Sequence, residues 1–267
     1  LARDGDNACP VRFGEGDDAD RLASQFRMDG LLDRGEEAVE VEVKDVAKLK
    51  PLLGKRRVTW INVDGLGDER LIRQLGELFS LHPLALEDVV NVHQRAKVEE
   101  YGDLLYIVVR MVSTAEPFRT EQVSIFLGKD FVLTFQEDVA GDCFDPIRDR
   151  LRQRGSRNRL AGPDYLAYRL IDAVIDGYFP VLEQHSDHLE RLDGEIEGDH
   201  SQQSFNQIRD IKSELVLTRR TIGPHRDAVN ALLRDPFPQI SSETRVYLRD
   251  CYDHTVQIIE LVEMYRE

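Results

Sequence analysis

Period-two apolar patterning runs through the first half of the chain and stops near residue 141, and every sustained apolar pattern beyond it repeats at helical spacing. Such a chain needs a sheet built early and helices laid on it later. Glu37-Ala38-Val39-Glu40-Val41-Glu42-Val43 alternates acidic and apolar residues, as a strand with one wet face does, and Val58 to Val63 reads as a buried strand. A short helix over Val46 to Leu53, ended by Gly54, fits between them. Asp64-Gly65-Leu66-Gly67 then turns into Asp68, an N-cap for an amphipathic helix over Glu69 to Ser80. Strand, turn and helix in that order indicate layered α/β structure. A second short helix is expected over Pro83 to Asn91, then strands at Leu104 to Val112, Gln122 to Leu127 and Phe131 to Phe135. Gly128-Lys129-Asp130 is short enough to join the last two as a hairpin. The predicted fold class is α/β (α+β), a mixed sheet of five or more strands covered by helices as an α/β/α sandwich, followed by a long helical hairpin and a C-terminal helix.

The helical half opens with a short basic helix over Asp145 to Arg154 and an Arg-rich link through Arg159. Pro163 starts a long pattern through Tyr165, Leu166, Ile171, Val174 and Tyr178 that is expected to run to about Ile196, kinked at Pro180. Its far half is strongly acidic. A return helix over Ser204 to Arg234 carries more Arg than acid, so the two form an antiparallel hairpin through Gly198-Asp199-His200-Ser201. Pro236 and Pro238 end it, and Ser241 or Ser242 caps a last helix that meets no stop signal by Glu267, which predicts that the natural polypeptide continues. The organisation expected is residues 1–34 loosely held, 35–160 the sandwich, 161–240 the hairpin and 241–267 the last helix.

Charge narrows the partners. With 32% charged residues and a net charge of −15, the surface repels phosphates and anionic lipid and concentrates cations, divalent ones most strongly. Nucleic acid is excluded as a partner on this ground. Cys9, Cys143 and Cys251 form no CxxC pair, so neither a disulfide framework nor a structural zinc site is indicated. Leu104 to Val109, the longest apolar run, is far short of the roughly 20 residues that span a bilayer, so the chain as given is expected to be soluble. No GxGxxG, P-loop, GxSxG or HExxH is present, and neither Cys143 nor Cys251 has the neighbours of an activated nucleophile, so no enzyme activity is expected.

Two places can hold a cation. Glu87 and Asp88 lie side by side on the short helix that Pro83 opens, with His82 and His93 flanking them. Adjacent helical positions point about 100° apart, so if Leu84 and Val89 face a core, at least one carboxylate faces outward. A solvated helix face is the commoner fate of such a pair. Asp250 and His254, at i and i+4 on the last helix, share one face about 5 to 6 Å apart at Cβ, with Asp253 beside them. A local Asp–His hydrogen bond is the plainer reading, and oxygen-rich ligands suit Mg²⁺ or Ca²⁺ better than zinc. His185, His188 and His200, in or beside the acidic hairpin, read as a solvated face.

Three separated segments carry a resemblance: Val58 to Gly67, Leu81-His82-Pro83-Leu84-Ala85-Leu86-Glu87-Asp88 through Tyr101, and Tyr247-Leu248-Arg249-Asp250-Cys251-Tyr252-Asp253-His254. Together, and in this order, they resemble the cytosolic part of the CorA family of magnesium transport proteins, over residues 36 to 267. The resemblance implies a homopentamer at the cytoplasmic face of the cell membrane. The last helix would then begin a long stalk that continues into membrane helices this sequence does not contain, and those helices would be the only link to the membrane. It also implies that Asp88, with Glu87 beside it, faces Asp250 of a neighbouring subunit across a divalent cation, with His254 as a secondary contact. Mg²⁺ would be the regulatory ligand, with Co²⁺, Ni²⁺, Zn²⁺ or Ca²⁺ as substitutes, and its binding would favour the closed state. The alternatives are the cytosolic domain of a related zinc transporter and a stand-alone soluble cation-binding scaffold.

Overall fold

The computed structural model describes residues 25–32, 39–42, 45–51, 53–55, 57–113, 118–137, 141–196 and 202–267. Its strands are β1 (Gln25–Leu32), β2 (Val39–Glu42), β3 (Val58–Asp64), β4 (Lys97–Tyr101), β5 (Leu104–Ser113), β6 (Arg119–Leu127) and β7 (Phe131–Gln136). They form one seven-stranded sheet in the order β2-β1-β3-β7-β6-β5-β4. The β3–β7 pair is parallel, from Thr59 opposite Phe131 to Asp64 opposite Gln136, and the remaining pairs are antiparallel.

The central strands are apolar on both faces, and each face receives its own cover. Val58 and Trp60 on β3, Leu105, Ile107, Val109 and Met111 on β5, and Val132 on β7 face one core. Ile61, Val63, Tyr106, Val108, Phe126, Leu133 and Phe135 face the other. The first core is closed by α3 (Asp145–Arg152), α5 (Pro163–Asp176), α6 (Tyr178–Ile196), α7 (Gln202–Arg234) and α8 (Ser242–Arg266). The second is closed by α1 (Glu69–Phe79), α2 (Pro83–Val90) and the 3-10 turn Val46–Lys48. The mixed sheet between two helical layers is the architecture the sequence predicts.

Several elements depart from expectation. Gln25–Leu32, read as loop, is a strand between β2 and β3. Its register shifts between Arg27 and Leu31, so period two is interrupted in the sequence although the backbone pairs on both sides. Residues 1–24 and the start of the Glu37–Val43 run lie outside the described residues. Lys97–Tyr101, not expected as a strand, is the sheet's outer strand β4, whose Lys-Val-Glu-Glu-Tyr composition suits an edge that must not recruit another chain. A four-residue helix, α4 (Arg157–Leu160), replaces part of the expected link.

The long helical pattern breaks at Gly177, not at Pro180. A proline ring clashes with the carbonyl four residues earlier, here that of Asp176, so the disturbance falls one turn before the proline itself. In α7, by contrast, Pro224 is carried inside the helix. His225 is buried beside it, and its ring completes the sheet. Strand β4 begins at Lys97 opposite Val108, so its pairing with β5 stops short of Arg110 and leaves the outward backbone groups of that residue without a strand partner. The Arg110 N–H donates to His225 Nε2 at 2.9 Å, and Tyr178 Oη donates to the Arg110 carbonyl at 2.7 Å.

Candidate metal centre

Helix α2 is seated by its neighbours on both sides. Pro83 occupies its first turn, and His82 caps it, Nδ1 accepting from the Leu84 N–H at 3.2 Å while the imidazole stacks on Tyr101 with centroids 4.6 Å apart. His82 is thus a structural cap. Ala85 and Val89 are the buried positions, whereas Leu84, conditionally assigned to the core above, is 56% exposed. Residues 84 and 87 share a face, so Glu87 points outward with it. A Cβ at Gly76 would come within 2.5 Å of Leu86 Cδ1, so glycine there lets α1 and α2 approach. The guanidinium of Arg110 donates to the Val92 carbonyl at 2.6 Å and to the Thr120 carbonyl at 2.7 Å, which ties the segment after α2 to the sheet.

Asp88 is half-buried and is not a free carboxylate. Its Oδ2 accepts from Lys97 Nζ at 2.6 Å, and the same ammonium donates to Glu99 Oε1 at 2.9 Å. Tyr101 Oη donates to the second Glu99 oxygen at 3.0 Å. Gln122 Nε2 donates to the Asp88 backbone carbonyl at 2.8 Å, fixing the main chain under the site. Glu87 has no ion pair among the described residues.

The second cluster lies between α5 and α8. Cys251, Thr255 and Ile258 bury one face of α8, which turns Asp250 and Asp253 outward and leaves His254 at the boundary. The expected Asp250–His254 hydrogen bond does not form, the closest approach being 4.0 Å at Nε2. His254 Nδ1 lies instead 2.9 Å from Asp176 Oδ1, because α5 packs beside α8 and presents a carboxylate closer than the one on its own helix. Asp172, one turn before Asp176, completes a group with His254 in which one ligand atom from each lies within 4.8 Å of the others. Burial, helped by the Asp176 charge, pushes the Asp172 carboxyl up to about 6 against the opposing pull of Arg169, whose Nη1 donates to it at 2.7 Å. Two carboxylates and an imidazole can hold a divalent ion, the oxygens suiting Mg²⁺ with retained waters and the nitrogen adding affinity for Co²⁺, Ni²⁺ or Zn²⁺. Asp253 is exposed, is not part of this group and has no ion pair among the described residues.

The structure therefore places the five expected residues in two groups, Glu87 and Asp88 on α2, and Asp250, Asp253 and His254 on α8. It adds Lys97, Glu99, Asp172 and Asp176, which sequence reasoning missed. Asp172 and Asp176 do stand at i and i+4 in a helical run, a signal open to reading. His185, expected on a solvated face, is 4% exposed because it lies on the α6 stripe against α7, its Nε2 3.6 Å from Glu214 Oε2. His188 is exposed, and His200 falls outside the described residues. Burial pushes the Cys143 thiol up to about 12 and moves Cys251 in the same direction, so both stay protonated at neutral pH. No described helix is long and apolar enough to cross a membrane.

Comparison with known proteins supplies the wider context. The sequence family described as CorA-like Mg2+ transporter protein matches residues 55–267, most of the chain. The chain belongs to that family. It is 40% identical over 235 residues to the cobalt/magnesium transport protein CorA of Thermotoga maritima, a match covering 87% of this chain and 67% of that protein. It spans about two thirds of the length of its first two relatives, 67% and 65%. The soluble domain of CorA from Methanocaldococcus jannaschii shares the fold with a TM-score of 0.75 at 20% identity, covering 90% of this chain and 92% of that one. The ZntB cytoplasmic domain from Vibrio parahaemolyticus shares it with a TM-score of 0.69 at 13% identity, covering 91% of each. The fold is thus common to CorA and ZntB proteins, and the relatives are transporters.

Proposed function

We propose that this chain is a cytosolic regulatory region of a CorA-type divalent cation transporter, one that binds Mg²⁺ between copies of itself through Asp88 and Asp250, with Glu87, Asp253 and His254 nearby. The observation that carries this reading is the exposed Asp250 carboxylate on α8, its side chain 70% accessible and its one ion-pair contact among the described residues a histidine at 4.0 Å. In a chain of net charge −15, such a group gains most from a shared cation. Two carboxylates held about 4 Å apart repel by roughly 4 kcal/mol at an effective dielectric near 20, and a divalent ion between them reverses the sign. Repeated around a ring of copies, bound Mg²⁺ holds subunits together and its loss lets them spread. A cation that binds the closed arrangement better shifts the population toward it, which makes transport self-limiting.

The test is Mg²⁺-dependent thermal stabilisation of the chain and of its Asp88→Asn and Asp250→Asn variants. Each substitution is expected to abolish the Mg²⁺ response; Asp250→Asn leaves the metal-free melting temperature near that of the parent, whereas Asp88→Asn lowers it by loss of the Lys97 ion pair. An undiminished response in both variants removes the assignment. A second reading, a zinc-responsive domain, is favoured by the imidazole beside Asp172 and Asp176. It requires Zn²⁺ to stabilise better than Mg²⁺ at equal concentration, and His254→Ala to erase that advantage.

A further inference from the structure

Lys97 holds the carboxylate that the cation would need. We infer that Lys97 is a tethered competitor for Asp88, an ammonium that occupies the carboxylate until a divalent ion displaces it onto Glu99, and so sets the concentration at which the site fills. This inference rests on the proposed role of Asp88 as a cation ligand and concerns how that role is regulated.

The geometry has three parts. The ammonium lies between two carboxylates, 2.6 Å from Asp88 Oδ2 and 2.9 Å from Glu99 Oε1, with both the lysine and Asp88 side chains 21% exposed. Partial burial makes such a pair stronger than the loose pairs of an open surface. Glu99 is itself anchored, since Tyr101 Oη donates to its other oxygen at 3.0 Å. The face of the buried Tyr106 ring lies beneath, 5.7 Å from Nζ, and favours a cation at this spot in either position. Lys97 can therefore leave Asp88 without losing its carboxylate partner or its aromatic floor. Because Gln122 holds the Asp88 carbonyl, the exchange needs only side-chain movement.

A divalent ion on Asp88 and the Lys97 ammonium 2.6 Å from its Oδ2 repel one another across a single carboxylate, so the two bind in competition. Monovalent ions in the surrounding solution offer Asp88 no more charge than Lys97 already does, at far lower local concentration. The tether thus raises the threshold for Mg²⁺ and guards the site against Na⁺ and K⁺.

The experiment measures the Mg²⁺ concentration giving half-maximal thermal stabilisation at constant ionic strength, in the parent chain and in Lys97→Gln, Lys97→Arg, Glu99→Gln and Asp88→Asn. Lys97→Gln is expected to lower the midpoint roughly fivefold, equivalent to about 1 kcal/mol. Lys97→Arg, which keeps the competitor, is expected to leave the midpoint unchanged or raise it, and Glu99→Gln, which removes the resting place, to raise it. A Lys97→Gln protein that melts lower with its midpoint unmoved shows a merely structural residue and overturns the inference. Should Lys97→Gln fail to fold, Glu99→Gln decides, and an unmoved midpoint there overturns it equally. Loss of the Mg²⁺ response in Asp88→Asn separates these outcomes from failure of the underlying reading, in which Asp88→Asn would respond as the parent does.

Discussion

His225 shows how a single side chain ties the two halves of the molecule together. Its Nδ1 pairs with the Thr221 carbonyl at 2.9 Å, which makes Nδ1 the protonated nitrogen and leaves Nε2 free to accept from the Arg110 N–H. Burial lowers its pKa from 6.5 to about 4. The unfolded chain therefore takes up a proton below pH 6.5 that the folded chain refuses until about pH 4, so stability falls as pH falls through that window, by up to roughly 3 kcal/mol. Urea unfolding at pH 7 and pH 5 is expected to show the loss. His225→Leu should be less stable at pH 7, because the Arg110 N–H is left unpaired, yet should show a flatter dependence between the two values. An unchanged slope would mean that another group governs acid sensitivity. The candidate metal residues were readable only in part for a related reason. Glu87 with Asp88, and Asp250 with His254, are two pairs each local in the chain, at spacings where helical geometry speaks. The pairings of Lys97 with Asp88 and of Asp176 with His254 are made by tertiary packing, and no local period announces them.

Among the elements, the junction of α5 with α8 is joined by a cluster of polar contacts on one carboxylate. Asp164, in the first turn of α5, accepts from the Ser241 N–H at 3.0 Å, from Ser241 Oγ at 2.6 Å and from Thr244 Oγ1 at 2.7 Å, so one carboxylate organises the start of another helix. Burial works to raise its pKa, but these three donors outweigh it and hold the carboxyl below its ordinary value. Asp164→Ala is expected to lower stability by about 2 kcal/mol, since it takes away the acceptor of the buried Thr244 hydroxyl proton and of the Ser241 donors. Hydrogen exchange should speed up in the first turn of α8 before it does in the sheet. Uniform exchange changes across the chain would count against a local joint. A second polar seam behaves alike on the sheet side. Arg148 donates to both oxygens of Asp142 at 2.6 and 2.5 Å, and Gln136 links Asp142 to Asn62. Breaking that buried pair with Arg148→Met should be destabilising by about 3 to 5 kcal/mol, because it leaves the Asp142 charge unpaired. The elements that sequence pattern located best are those whose burial is regular along their length, near-continuous in β3, β5 and β7 and repeating at helical spacing in α1 and α8. Strands β1 and β4 escaped because one carries a register shift and the other is a charged edge, and in both the pairing is made by backbone groups that leave no mark on side-chain periodicity.

For the molecule as a whole, the acid excess written in the composition becomes a statement about ions. A net charge of −15 opposes both compaction and the approach of further copies, and any salt relieves that by screening. Site binding differs from screening in being specific to the ion, so MgCl₂ and NaCl must be compared at matched ionic strength. At a Mg²⁺ concentration about a hundred times the dissociation constant, linkage adds about 2.7 kcal/mol of stability. For a chain of this size that corresponds to a rise in melting temperature of about 5 to 10 °C. Sedimentation is expected to show larger species in MgCl₂ than in matched NaCl, and Asp88→Asn combined with Asp250→Asn should reduce both effects to those of NaCl. If NaCl reproduces the full shift in the parent chain, the acidic surface acts through screening alone, and neither carboxylate group is a binding site.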